Sequence, residues 1–149
     1  MIEVGDTAPA FTRTAHNGES VRIGPGAERV TVLYFYPKDE TAGCTAQACS
    51  FRDAYEDFVA AGASVVGVSG DSASSHESFA AHHRLPFLLL SDDDGALRRL
   101  YGVKRTLGLL PGRVTFVIDR EGIVRHVFDS QLRTGAHVQE ALIAVRKFS

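Results

Sequence analysis

Val30-Thr31-Val32-Leu33-Tyr34-Phe35-Tyr36-Pro37-Lys38-Asp39-Glu40-Thr41-Ala42-Gly43-Cys44 is the stretch whose reading decides the fold. Its first seven residues are almost continuously apolar and rich in β-branched and aromatic side chains, and Pro37 stops them. That is the pattern of a strand buried on both faces. From Thr45 to about Ala61 the pattern turns helical, with Phe51, Tyr55 and Phe58 at spacings of four and three, and Gly62 suits the C-terminal stop. Cys44 therefore falls at a strand-to-helix junction. A helix N-terminus presents unpaired N–H groups and a positive dipole end, and both favour thiolate, the nucleophile of sulfur redox chemistry, over thiol.

Working outward, Ser64 to Ser69 reads as a second buried strand, Ser72 to about His83 as a helix, and Phe87 to Leu90 as a short strand. A short helix from Gly95 to Tyr101 follows the acidic turn Asp92-Asp93-Asp94, and Gly102 ends it. Val114 to Ile118 reads as a central strand. The turn Asp119-Arg120-Glu121-Gly122 links it to a strand from Ile123 to Phe128, giving an antiparallel hairpin. A last amphipathic helix runs from about His137 to Lys147, and the segment before Ile23 suits a small hairpin around Asn17-Gly18. Alternating strands and helices that close on a hairpin predict an α/β fold with a mixed central sheet and helices on both faces. At 149 residues the expectation is one domain spanning 1–149, without repeats or linkers.

Sixteen Lys and Arg against eighteen Asp and Glu make the chain mildly acidic, with no basic block suited to nucleic acid or an anionic membrane. The opening Met1-Ile2-Glu3-Val4-Gly5-Asp6 has neither the basic nor the apolar region of a signal peptide, and no apolar run approaches a membrane span. The expectation is a soluble cytoplasmic protein. In a reducing cytosol, two cysteines are more often catalytic, redox-sensing or metal-binding than a permanent crosslink.

Helical geometry distinguishes Cys44 from Cys49, the only two cysteines. Cys44 lies seven, eleven and fourteen positions before Phe51, Tyr55 and Phe58, so it projects from the inward stripe. Cys49 is about 140° around the helix from it and about 7.5 Å along the axis. A disulfide needs Cα atoms within about 7 Å and converging Cβ vectors, so joining the two requires the first turns to unwind. Other readings stand beside this one. Both residues suit small buried apolar positions. Zinc would need two further ligands, and His16, His76, His82, His83, His126 and His137 show no spacing that pairs with C-x4-C. Thiol–disulfide exchange enzymes use C-x-x-C, a spacing this chain lacks. Asp92 to Asp94 reads as a solvated turn capping a helix, and His82-His83 as a solvated helix end.

The run Tyr34 to Thr45, with Cys49 and Phe51-Arg52-Asp53 after it, resembles the peroxiredoxin active site P-x-x-x-[TS]-x-x-C, and more narrowly the bacterioferritin comigratory protein, or peroxiredoxin Q, branch. The likeness extends to Gly5-Asp6-Thr7-Ala8-Pro9-Ala10-Phe11, Leu90-Ser91-Asp92 and Arg113-Val114-Thr115-Phe116-Val117-Ile118-Asp119, nearly the whole chain. There are departures. Ala42 stands where this branch usually has proline, Gln47 where it often has glutamate, and Lys104 to Gly112 matches less clearly.

The resemblance implies a thioredoxin-like fold and a thiol peroxidase acting on hydrogen peroxide and organic hydroperoxides without metal, haem or flavin. It makes Cys44 the peroxidatic cysteine and Cys49 the resolving one, which forms an intramolecular disulfide after local unfolding. It gives Arg113 the tasks of stabilising the thiolate and binding peroxide, and Thr41 that of orienting it. Backbone N–H groups of Gly43 and Cys44 complete a polar cradle, and Pro37 covers the site. Thioredoxin or a similar dithiol is the implied reductant. An intramolecular resolving cysteine needs no second subunit, so a monomer is expected. The rival expectations are a thiol–disulfide oxidoreductase and a non-catalytic redox sensor.

Overall fold

The computed structural model describes residues 1–148. A small antiparallel pair, β1 (Phe11–Thr14) and β2 (Ser20–Ile23), precedes β3 (Val30–Phe35), α1 (Ala42–Asp53), α2 (Tyr55–Ala60), β4 (Ala63–Ser69) and α3 (Ala73–His83). Then follow β5 (Leu88–Ser91), α4 (Ala96–Tyr101), β6 (Val114–Ile118), β7 (Val124–Asp129) and α5 (Thr134–Phe148). The central sheet has the order β5-β4-β3-β6-β7. It is parallel from β5 to β3 and antiparallel from β3 to β7, the mixed sheet expected.

Every residue of β3 is buried, because its side chains alternate between two cores. Val30, Val32 and Tyr34 join Phe51, Phe58, Phe79 and Val145 beneath α1, α2, α3 and α5. Leu33 and Phe35 join Leu97, Tyr101 and Phe116, with Val21 and Ile23 of the hairpin covering that face. The helices are thus divided unevenly, α4 alone sharing its face with the hairpin. No helix among the described residues is long and apolar enough to cross a membrane.

Most boundaries fall within one residue of expectation, and two helices depart further. The helix read as Thr45 to Ala61 begins at Ala42 and is two helices, broken at Ala54, whose φ of −94° and ψ of 3° leave helical geometry. The unbroken spacing of Phe51 and Phe58 hid the break. α2 turns to lie against β4 and still buries Phe58 completely. α5 begins at Thr134, three residues before the expected start, because Thr134-Gly135-Ala136 has no large apolar side chain to extend the stripe.

His137 in α5 is fully buried, its Nδ1 2.7 Å from Thr115 Oγ1 and its Nε2 2.7 Å from the Ser130 carbonyl, to which it donates. Burial pushes its pKa down to about 4, partly offset by the Ser130 carbonyl and reinforced by Arg113. A base depressed in the folded state contributes stability that is present above its unfolded pKa of about 6.5 and is lost as pH falls through about 4. Urea unfolding should therefore show the parent losing about 3 kcal/mol more than His137→Gln between pH 7 and pH 4. Equal losses in the two proteins would refute this.

Candidate active site

Antiparallel pairing builds the site. Phe35 near the end of β3 pairs with Val114 at the start of β6, so the loop after β3 and the residue before β6 meet at one sheet edge. That edge holds Pro37, Thr41 and Cys44 on one side and Arg113 on the other. Because α1 starts at Ala42, Cys44 lies in its first turn, buried, with a free thiol. Its sulfur accepts from the Lys38 backbone N–H at 3.5 Å and from Arg113 Nη2 at 3.4 Å.

Arg113 is 4% exposed, so its guanidinium must be held by protein groups. Nη1 donates to Gln47 Oε1 at 2.6 Å and Nε to the Gln131 carbonyl at 3.0 Å, which turns Nη2 toward the sulfur. Gly43 permits this approach, since a Cβ there would stand 3.1 Å from Nη2. Gln131 is itself fixed, its Nε2 donating to Thr106 Oγ1 and the Pro111 carbonyl. Arg98 ties the two sides of the site together, donating to the carbonyls of Tyr36 at 2.7 Å and Gly112 at 3.0 Å.

Thr41 occupies the N-cap position of α1, but its side chain makes no capping bond. Its hydroxyl donates instead to the Lys38 carbonyl at 2.7 Å. Pro37, Thr41, Gly43, Leu110, Pro111 and Arg113 help to line a cleft of about 370 Å³. A larger hollow of about 480 Å³ between β2 and β4 contains none of these residues.

A buried polar network anchors the loop from behind. Asp39 accepts from Tyr36 Oη at 2.6 Å and Ser75 Oγ at 2.8 Å, and lies 2.7 Å from His76 Nδ1. His76 Nε2 meets the Leu90 carbonyl at 3.0 Å, and the Asp39 N–H donates to Asp71. Burial alone would raise the Asp39 pKa, but the bonds from His76 and Tyr36 outweigh it and hold the carboxyl below its ordinary range.

Two groups read as solvated are tied into the fold, although Asp93, Asp94 and His82 are exposed as expected. Asp92 does cap α4, accepting from Leu97 N and Arg98 N, but it is buried, because those amides lie inside the fold. His82 and His83 close on Glu40, at 2.9 and 2.7 Å, across 42 and 43 residues of sequence. These bonds lower the Glu40 pKa, the His82 bond most.

Cys49 is partly buried on the same uninterrupted α1, five residues after Cys44, and its thiol is free. The pattern of the AhpC/TSA family matches residues 4–127. The chain belongs to that family.

Within the AhpC/TSA family, the chain is 48% identical over 142 residues to chloroplastic peroxiredoxin Q of Sedum lineare, covering 95% of this chain and 76% of that one. It is 46% identical over 142 residues to chloroplastic peroxiredoxin Q of Triticum aestivum, again over 95% of this chain but 65% of the wheat protein, just under two thirds of its length. Among solved structures, peroxidoxin BcpB of Mycobacterium tuberculosis superposes with a TM-score of 0.89 at 36% identity, covering 100% of this chain and 99% of that one. Peroxiredoxin Q of Xanthomonas campestris superposes with a TM-score of 0.84 at 31% identity, over 92% and 90% of the two chains. The fold of this family member is therefore thioredoxin-like, and its peroxiredoxin Q likeness is established.

Proposed function

We propose that this chain is a thiol peroxidase in which Cys44 reduces hydrogen peroxide and organic hydroperoxides. The observation that carries the reading is a buried sulfur in the first turn of α1, held by Lys38 N–H and Arg113 Nη2 beside an open cleft. The Cys44 thiolate attacks the terminal oxygen of the hydroperoxide. An S–O bond forms, the O–O bond breaks, and the departing alkoxide or hydroxide takes up a proton, leaving Cys44 as a sulfenic acid. Charge builds on the leaving oxygen, where Arg113 and the N-terminal N–H groups of Gly43 and Cys44 are the available donors. Thr41 uses its hydroxyl hydrogen in the bond to the Lys38 carbonyl, so its oxygen is left to accept from the hydroperoxide O–H. Pro37 covers the site without adding a donor. Leu110 and Pro111 offer an apolar wall to an organic substituent.

The Cys49 thiol then attacks the sulfenic sulfur, releasing water and forming the Cys44–Cys49 disulfide, which a dithiol protein of the thioredoxin kind reduces. One chain supplies both cysteines, so a monomer suffices. Two cores sharing a single sheet support one domain over 1–149. A cytoplasmic location, with its reduced dithiol pool, belongs to the same proposal. Catalysis in this scheme calls on no metal, haem or flavin. Pre-reduced protein mixed with hydrogen peroxide or cumene hydroperoxide should form the Cys44–Cys49 disulfide, read by mass spectrometry, and should sustain NADPH oxidation with thioredoxin and its reductase. Thiols that survive excess peroxide would end the proposal.

A further inference from the structure

We propose that Glu40, His82 and His83 form a binding site for a divalent transition ion, zinc(II) above all, that pins the loop leading into α1 to the end of α3. The three residues come from two distant parts of the chain, and their ligand atoms all lie within 4.8 Å of one another. Glu40 Oε1 is 2.7 Å from His83 Nε2, and Oε2 is 2.9 Å from His82 Nδ1. Ligands of a tetrahedral zinc ion at ~2.0–2.2 Å stand about 3.3 Å from one another, so a small outward adjustment admits the ion between them.

The backbone supports the convergence. Glu40 adopts a φ of 62°, an uncommon conformation for a side chain of its kind, and its carboxylate reaches both rings from there. Arg84, with a φ of 53°, ends α3 in a left-handed turn directly after His83. The carboxylate is 46% exposed and His82 66%, which leaves room for water to complete the shell. Two imidazoles and one carboxylate suit zinc and its neighbours, whereas magnesium and calcium prefer oxygen donors throughout. On binding, the metal takes the place of the ring protons now facing Glu40. Each neutral imidazole carries its proton on the opposite nitrogen, and any imidazolium releases one.

Position gives the site a consequence, and this part rests on the peroxidase reading. Glu40 lies four residues before Cys44, and the first turns of α1 must unwind for Cys49 to reach it. An ion holding Glu40 to α3 favours the folded loop. Resolution then slows, and Cys44 stays longer as a sulfenic acid open to further oxidation.

The first test is calorimetric titration of zinc chloride into the Cys44→Ser/Cys49→Ser protein, which removes competing thiolates. One ion per chain is expected. Affinity should fall at least tenfold with Glu40→Gln, and likewise with His82→Ala or His83→Ala, while magnesium chloride should not compete. Absence of zinc binding, or binding equal in all these variants, overturns the site. The second test follows disulfide formation by quenched mass spectrometry in the cysteine-intact protein. Zinc should slow it several-fold, with more Cys44 sulfinic acid, and Glu40→Gln should abolish the effect. Equal slowing in Glu40→Gln overturns the clamp. Failure of Cys44 to react with peroxide would refute the peroxidase reading alone, since the calorimetry involves neither thiol.

Discussion

Cys44→Ser should reduce peroxide-dependent NADPH oxidation to the uncatalysed background, whereas Cys49→Ser should react once at close to the parental rate and then stall. The asymmetry follows from where the two sulfurs sit. Cys44 is buried in the first turn of α1 with Lys38 N–H and Arg113 directed at its sulfur. A serine hydroxyl there is a weak nucleophile without a base to activate it, and it cannot follow the reversible oxidation ladder of sulfur. Cys49 lies elsewhere on the helix, so its loss leaves the first chemical step intact. The sulfenic acid then accumulates and advances to sulfinic acid under excess peroxide, which adds about 32 Da to an intact-mass spectrum relative to the thiol. Sustained turnover by Cys49→Ser with thioredoxin, without overoxidation, would show that Cys49 does not resolve Cys44.

Arg113→Leu should lower the second-order rate constant for peroxide by roughly a thousandfold, about 4 kcal/mol of transition-state stabilisation. Leucine fills much of the volume without burying an unpaired charge, so the loss reports the missing donors rather than collapse of the fold. Arg113→Lys should remain about a hundredfold below the parent. Lysine keeps the charge but lacks the planar fork that engages Gln47, Gln131 and the sulfur together. Circular dichroism and the urea midpoint establish that each variant is folded. An Arg113→Leu protein within tenfold of the parent would remove this arginine from the proposed chemistry.

The strands were legible because burial on both faces leaves a mark in composition, as in Val30 to Tyr36, and the helices because one apolar stripe repeats. The inward position of Cys44 followed from its spacing to Phe51, Tyr55 and Phe58. The break at Ala54 did not, since a change of direction that preserves the stripe leaves the spacing unaltered. In the site, Arg113 was reached only through the family likeness. Its supports were hidden, because Gln131 lies 18 residues away and offers a backbone carbonyl, which no side-chain pattern can announce. Gln47 registered in the sequence as a missing charge, yet in the fold it is the neutral acceptor that turns the guanidinium toward sulfur. The bond from Glu40 to the end of α3 was equally invisible, because two adjacent histidines at a helix end look like solvated residues until the chain returns to them.

In the proposed Cys44–Cys49 cycle, the interruption at Ala54 gives the helix opening a fixed stroke. Local melting is a cooperative event, and a helix carries it onward until its hydrogen-bond ladder ends. Here the ladder that contains both cysteines ends with the Ala54 N–H donating to the Ser50 carbonyl, and the next short helix is held separately by completely buried Phe58. Upstream, the buried Asp39–His76 pair fixes the opposite limit. Each oxidation can therefore open and reseal a bounded segment, much as an expansion joint confines movement in a bridge, while the sheet beneath it remains an undisturbed template for refolding.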